Sequence, residues 1–222
     1  MIKKAVCSCL AVIFTFMISV PLSVFAIDED EYVEATVNKI VENTNIMNLQ
    51  AKGAVLMEGA TGSVLIDKDC HKKLPIASVT KIMSMLLVME AIDSGKISLD
   101  NKVTVSENSY RMGGSQVWLE PGEVFTVDEL LKAVAIRSAN DATVALAEAV
   151  AGSEETFVKM MNDRAVELGM ANTRFLDCTG LTDEGHYSSA YDIAIMSREL
   201  LTKHPKIIEY TKTWHSTFRD NV

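Results

Sequence analysis

Residues 78–91 constrain the fold of this chain more than any other segment. They are apolar almost all the way round a helix, and Gly95 follows shortly afterwards. A helix that is apolar on every side has to be covered by other elements on every side. The sequence therefore predicts a buried helix through the centre of a domain.

Two polar residues, Ser78 and Lys81, stand at the start of this helix, just after Pro75. Helical residues three positions apart share one face, with Cβ atoms about 5–6 Å apart, so the amine reaches the hydroxyl. A serine hydroxyl needs a base to become a nucleophile, and lysine serves as one when burial or positive potential lowers its pKa. A helix N-terminus supplies such potential, together with amides that can face an oxyanion. The pair predicts a serine acyl-transfer site.

A second motif, Ser138-Ala139-Asn140, follows sixty positions after Ser78. It separates two apolar helical runs, residues 130–136 and 142–150, as a short turn presented to a cleft would. The same S-x-N pattern at Ser106-Glu107-Asn108 follows a short apolar segment, and we interpret it as a polar loop.

Several longer segments carry a family resemblance. They are Leu74-Pro75-Ile76-Ala77-Ser78-Val79-Thr80-Lys81, Met112-Gly113-Gly114-Ser115-Gln116, Leu119-Glu120-Pro121-Gly122-Glu123, Ser138-Ala139-Asn140-Asp141-Ala142 and His186-Tyr187-Ser188-Ser189-Ala190-Tyr191-Asp192. In order and spacing, from about residue 52 to 220, they resemble the low-molecular-weight penicillin-binding proteins that act as D-alanyl-D-alanine carboxypeptidases.

The resemblance implies an α/β fold of the penicillin-binding protein/β-lactamase type, an antiparallel sheet with a helical subdomain. It implies an enzyme that removes the terminal D-Ala from peptidoglycan stem peptides and is inhibited covalently by β-lactams. Ser78 would attack the peptide, Lys81 would take its proton, and Ser138 and Asn140 would relay protons and orient the substrate. No cofactor is implied.

The third motif of that family, a K-T-G on an edge strand, is absent from this sequence. Lys212-Thr213-Trp214 is a poor substitute, because an indole in place of glycine would block the approach of a substrate backbone. We therefore expect residues 51–222 to form an incomplete catalytic domain, truncated before the K-T-G strand, with at most trace activity on its own. A C-terminal anchor, typical of relatives, would be missing as well.

The N-terminus resembles a secretory signal peptide over residues 1–26. Lys3 and Lys4 precede an apolar stretch, and Val24-Phe25-Ala26 offers a cleavage site. Residues 27–50 form a lead-in with a modest helical pattern. These features predict an exported protein of the cell envelope or medium. The alternative is an uncleaved membrane anchor, since residues 5–27 carry no charge before Asp28.

Charge and cysteine usage exclude some functions. Removing residues 1–26, with two lysines and no acidic residue, would change the net charge from −9 to −11, which disfavours nucleic acid as a partner. Metal-binding motifs are missing. Cys70 and Cys178 would remain, and their pairing is left open. His186 is interpreted as a structural loop residue.

The remaining pattern predicts the elements around the central helix. Residues 51–58 and 63–67 read as an antiparallel hairpin that starts the central sheet. Helices are expected to begin at Thr126, Ser153 and Ser189, and residues 211–218 to return to a strand. Methionines on the helical segments are interpreted as core residues.

Two alternatives to the carboxypeptidase remain. A class A β-lactamase shares S-x-x-K, but its S-D-N and Glu-x-x-Leu-Asn motifs are not present. A non-catalytic fragment or pseudoenzyme that binds cell-wall peptide is supported by the missing K-T-G.

Overall fold

The central helix predicted from the sequence is present in the computed structural model, which describes residues 49–182 and 184–219. It spans Lys81–Asp93, follows a 3-10 turn at Ala77–Thr80, and buries eight of its thirteen residues. The predicted signal peptide and nearly all of the lead-in at residues 27–50 lie outside the described residues.

Eleven elements of regular structure, besides the 3-10 turn, occur in the described part of the chain. The strands are β1 Ala54–Met57, β2 Val64–Lys68, β3 Lys102–Thr104 and β4 Val124–Thr126; the helices are α1 Lys81–Asp93, α2 Glu107–Tyr110, α3 Val127–Arg137, α4 Asn140–Ala151, α5 Glu154–Glu167, α6 Ala190–Lys203 and α7 Ile207–Thr211.

The core forms around α1, which contacts α4, α5 and α6. Met83, Leu86 and Met89 on α1 are fully buried, and Met161 and Met196 on the covering helices are too. This packing confirms the interpretation of the methionines as core residues and explains why α1 shows no polar face.

Three helix starts agree with their predicted caps, whereas the polar loop expected at Ser106-Glu107-Asn108 is instead the start of α2, capped by Ser106. Thr126 and Glu129 form a reciprocal capping box at α3, and the side chains of Ser153 and Ser189 accept backbone N–H groups at the starts of α5 and α6. Each such cap satisfies amides that have no partner inside the helix.

The strands form two antiparallel pairs. β1 pairs with β2, with an irregularity between Leu56 and Met57, and β3 pairs with β4. The predicted hairpin is therefore confirmed, but among the described residues its sheet has two strands.

The strand predicted at residues 211–218 is wrong. Residues 207–211 are helical, and the following segment lies across α3 with Phe218 stacked on Phe125 at 4.9 Å between ring centroids. A strand needs a neighbouring strand for its backbone groups, and this segment has side-chain packing instead.

Cys70 and Cys178 are both buried and both free, so the pairing left open by the sequence does not form in this structure. Within the described residues, no helix has the length and apolar character needed to cross a membrane.

Candidate active site

Ser78 and Lys81 lie together, in contrasting surroundings. Ser78 is exposed on the 3-10 turn, whereas Lys81, the first residue of α1, is only 3% exposed. Lys81 Nζ lies 3.2 Å from Ser78 Oγ and 2.8 Å from the carbonyl oxygen of Thr179. An accessible hydroxyl thus stands beside a buried amine, which is the arrangement that a lysine base requires.

The burial of Lys81 changes its protonation. Desolvation lowers the pKa of Lys81 from 10.5 to about 8, while the negative charge of Asp177 limits the decrease. A neutral amine has a lone pair that can accept the proton of Ser78. The neutral form of Lys81, which can accept a proton, is therefore populated at mildly alkaline pH.

A turn formed by residues 177–182 supplies the carbonyl that holds Lys81. Asp177 organises this turn, since its carboxylate accepts the N–H groups of Thr179, Gly180 and Thr182. Burial alone would raise the pKa of Asp177, but the hydrogen bonds from Thr182, Thr179 and Gly180 outweigh it and hold that pKa well below its usual range. The carboxylate therefore stays charged, and the turn stays closed.

Gly180 allows this turn to lie directly on the turn that carries Ser78. It has φ +83°, and a Cβ atom at this position would lie 1.8 Å from the carbonyl oxygen of Ala77. Ala77 itself has a positive φ of 42°. Only a glycine fits this contact, so residue 180 sets the spacing between the two turns.

The buried side chain of His186 also links the segment that begins at Leu176 with the turn that carries Ser78. Its Nδ1 accepts the N–H of Leu176, so its Nε2 carries the proton and donates to Thr80 Oγ1 at 2.7 Å. Burial lowers the pKa of His186, and Asp177 opposes this effect. A neutral histidine with both nitrogens engaged fits the structural role predicted for it.

Ser138 and Asn140 lie at the junction of α3 and α4, as the sequence pattern predicted. Ser138 ends α3 in the left-handed conformation, and Asn140 begins α4. Asn140 donates from Nδ2 to the carbonyl of Gly113, and its backbone N–H donates to that of Ser115. Asn140 Oδ1 is buried and, among the described residues, has no hydrogen-bond partner.

Gly114 connects this junction with the turn that holds Lys81. A Cβ atom on Gly114 would lie 2.8 Å from Asn140 Nδ2 and 3.2 Å from a methyl group of Leu181. The S-x-N junction, the glycine loop and the turn at residues 177–182 are therefore in contact. No hydrogen bond among the described residues joins Ser138 directly to Ser78 or Lys81.

The segment Lys212-Thr213-Trp214 does not resemble an edge strand. Lys212 caps the end of α7, Thr213 donates its hydroxyl proton to Glu209 on the same helix, and Trp214 is 84% exposed. This placement agrees with its rejection as a substitute for K-T-G. Groups of three or more acidic, histidine or cysteine side chains suited to a metal are not found in the described residues.

The residues that hold Ser78 and Lys81 in place were not predicted from the sequence. Asp177, Thr179 and Gly180 received no role, although an Asp followed two and three residues later by Thr and Gly is typical of a turn closed by the aspartate side chain. The contact between that turn and α1 depends on residues about a hundred positions apart, which local patterns do not reveal.

Comparison with known proteins shows which class of fold the chain has. The solved structures most similar in fold include a peptidoglycan synthesis regulatory factor, PBP3, from Streptococcus pneumoniae, with 37% identity, a TM-score of 0.74, and coverage of 78% of this chain and 53% of that one. Penicillin-Binding Protein D2 from Listeria monocytogenes in its ampicillin-bound form has 29% identity and a TM-score of 0.68, over 78% of this chain and 70% of that one. The fold is that of penicillin-binding proteins and β-lactamases.

The family match is more specific than the match in fold. The D-alanyl-D-alanine carboxypeptidase family model, Peptidase_S11, matches residues 38–222, and the chain belongs to this family. The D-alanyl-D-alanine carboxypeptidase DacF of Bacillus subtilis is 55% identical over 181 residues, which cover 82% of this chain and 46% of the relative. The chain thus spans about half the length of the curated relatives it matches.

Proposed function

We propose that this chain provides the nucleophile and base of a serine D-Ala-D-Ala carboxypeptidase acting on peptidoglycan stem peptides. The observation that carries the proposal is the 3.2 Å contact between the buried amine of Lys81 and the exposed hydroxyl of Ser78. Membership of the carboxypeptidase family supports the choice of substrate.

In the proposed acylation step, Ser78 Oγ attacks the carbonyl carbon of the penultimate D-Ala while neutral Lys81 accepts the hydroxyl proton. The peptide C–N bond then breaks, the amine of the terminal D-Ala receives a proton, and an ester to Ser78 remains. Water hydrolyses this ester in a second step and restores the serine. Backbone amides at the turn that begins α1 would stabilise the oxyanion in both steps.

Ser138 and Asn140 are proposed to serve the substrate side of the reaction. Ser138 would relay the proton towards the departing amine. Asn140 Oδ1, which lacks a partner among the described residues, would accept an N–H group of the bound peptide, since an unsatisfied buried acceptor is costly unless a ligand completes it.

The same nucleophile would react with β-lactams, whose strained amide replaces the peptide bond. The ampicillin-bound structure of the Listeria protein supports this proposal by similarity. We propose further that residues 1–26 are a signal peptide, that residues 27–50 lead into the catalytic domain at residues 51–222, and that the protein works outside the cytoplasm.

The release of D-Ala from diacetyl-Lys-D-Ala-D-Ala by the full-length protein, here meaning this chain extended through a K-T-G strand, tests the proposal. We expect Ser78→Ala to abolish release. Ser94→Ala is the matched control, because Ser94 is an exposed serine at the opposite end of α1, and it should leave turnover unchanged. Turnover by Ser78→Ala close to that of the control would contradict the proposal.

A further inference from the structure

Trp118 combines two features that are each costly for a folded protein. Its side chain is 73% exposed, and its backbone has φ +57°, in the left-handed region that bulky residues rarely adopt. An exposed indole gains little from packing, so stability alone does not account for a tryptophan here. Strained residues of this kind concentrate at sites that hold ligands.

The backbone around Trp118 is fixed from both sides. The carboxylate of buried Asp141, next to Asn140, accepts the N–H groups of Val117 and Leu119. The guanidinium of Arg219 donates to the carbonyls of Val117 and Trp118 at 2.9 and 2.7 Å. These bonds hold the strained conformation and keep the indole directed outward.

The indole lies in the wall of an open cleft of about 450 Å³, which Tyr110, Arg111, Met112 and Gln116 also line. Tyr110 is half exposed, so two aromatic rings face solvent here. Leu119 and Glu120 complete the lining. Apolar side chains beside a guanidinium, an amide and a carboxylate suit a flexible aliphatic chain that ends in a polar group.

The cleft adjoins the loop that contacts Asn140 in the candidate active site. This loop passes through Gly113, whose carbonyl accepts the side-chain amide of Asn140, and Ser115, whose carbonyl accepts its backbone N–H. Trp118 is three residues beyond Ser115, which places their Cα atoms at most about 11 Å apart. A peptide held at Asn140 would therefore bring its next residues to the indole.

We propose that Trp118 forms a subsite for the residue that precedes D-Ala-D-Ala in the stem peptide, with its long aliphatic side chain lying on the indole. The inference rests on the proposed function and adds the part of the substrate that is recognised. The distance selects the peptide over the sugar strand, since each residue adds about 3.3–3.6 Å and the sugars are attached several residues further away.

Equilibrium binding to the full-length protein carrying Ser78→Ala, which prevents turnover, tests the subsite. The two probes are diacetyl-Lys-D-Ala-D-Ala and acetyl-Gly-D-Ala-D-Ala, measured by titration calorimetry. We expect the lysyl peptide to bind about tenfold more tightly, as for burial of one anchoring side chain. Adding Trp118→Gly should reduce this ratio to about one, and Trp118→Phe should retain most of it.

Trp214→Ala provides the matched control, because Trp214 is the other tryptophan of the chain and is also exposed. It should leave the ratio unchanged. An unaltered ratio in Trp118→Gly, or no binding of either peptide, would overturn the subsite. Labelling of Ser78 by penicillin in the protein without the Ser78→Ala change is scored separately, so loss of the subsite alone is distinguishable from failure of the proposed function.

Glycine suits the backbone of residue 118 better than tryptophan does, so Trp118→Gly should keep the melting temperature at or above that of the parent protein. If the two peptides then bind Trp118→Gly equally well and the variant has normal stability, the preference for the lysyl peptide depends on the indole. Tighter binding caused by an attached disaccharide, and not by the lysyl side chain, would overturn the assignment of the subsite to the peptide.

Discussion

At the scale of single residues, the proposed nucleophile, Ser78, and its proposed base, Lys81, lie close together but differ in exposure. Ser78 is open to solvent, whereas Lys81 is buried within hydrogen-bond reach of it. The spacing S-x-x-K predicted the contact, because three helical positions fix the relation of two side chains. A lysine base needs a pKa lowered by burial or by positive potential, and in the structure burial lowers the pKa of Lys81.

The acylation rate should report the pKa of Lys81. Below about pH 8 the amine is mainly protonated and accepts no proton, so the rate of acylation by a penicillin should rise with pH and level off above that value. Lys81→Ala should lower the plateau by about 10²- to 10⁴-fold in a protein that still folds. Stopped-flow or quenched labelling across pH 5–10 measures the profile.

Lys72→Ala is the control for this profile, because Lys72 is an exposed lysine before the site, and the wild-type curve should be retained. Normal acylation by a folded Lys81→Ala protein would show that another group acts as the base.

At the scale of elements, the site depends on two turns in close contact. Sequence patterns predicted α1 and the junction of α3 and α4, because apolar periodicity and capping residues are local signals. They did not predict that residues 177–182 lie on the turn before α1. Gly180 makes this contact possible, and its partner Ala77 is distant in sequence.

Gly180→Ala should therefore be severely destabilising. The added Cβ would meet a backbone oxygen at 1.8 Å, so one of the two turns has to move. We expect a loss of about 3 kcal/mol or more in the free energy of unfolding, as for other strongly disruptive packing changes, together with loss of penicillin labelling. Urea unfolding and labelling on the same preparation measure both.

Gly169→Ala is the control that distinguishes the steric clash at residue 180 from the backbone strain of a positive φ. Gly169 has a similar φ of +74°, and no atom lies within 4 Å of the position that its Cβ would take. The substitution should therefore cost only about 1 kcal/mol and leave labelling intact. Equal costs for the two variants would contradict the role assigned to Gly180.

The segment after α7 shows the limit of local prediction. Residues 211–218 have strand-like composition, but a strand forms only where a neighbouring edge accepts its hydrogen bonds. Here Phe218 packs on Phe125 and Arg219 binds Glu123. Side-chain contacts across the chain decide the conformation of this segment.

At the scale of the whole molecule, the apolar pattern predicted the buried position of α1, whereas the fold class was implied by the family resemblance. A helix without a polar face requires covering helices, and α4, α5 and α6 provide them. Periodicity does not specify which helix faces cover α1, or that the turn at residues 177–182 contacts the turn before α1. Both depend on three-dimensional packing.

The stability of the described region should depend on acid through Asp177. Its pKa is lowered in the folded state, so the unfolded state binds a proton first as the pH falls. The stabilisation is full above about pH 5 and is lost progressively below about pH 4. Asp177→Asn should lower stability at pH 7 and flatten the decline between pH 5 and 3 in urea unfolding.

Asp163→Asn is the control, because Asp163 is an exposed aspartate on α5, and its acid profile should follow the wild type. An equally steep decline in Asp177→Asn would show that the turn at residues 177–182 does not depend on the charge of this carboxylate.

The central claim is that Ser78 is the acylated nucleophile. The most direct measurement is mass spectrometry of peptides from the full-length protein after reaction with penicillin. The account predicts one adduct, on the peptide that contains Ser78, and its disappearance in Ser78→Ala. An adduct on Ser138 or any other serine, or undiminished labelling of Ser78→Ala, would contradict it.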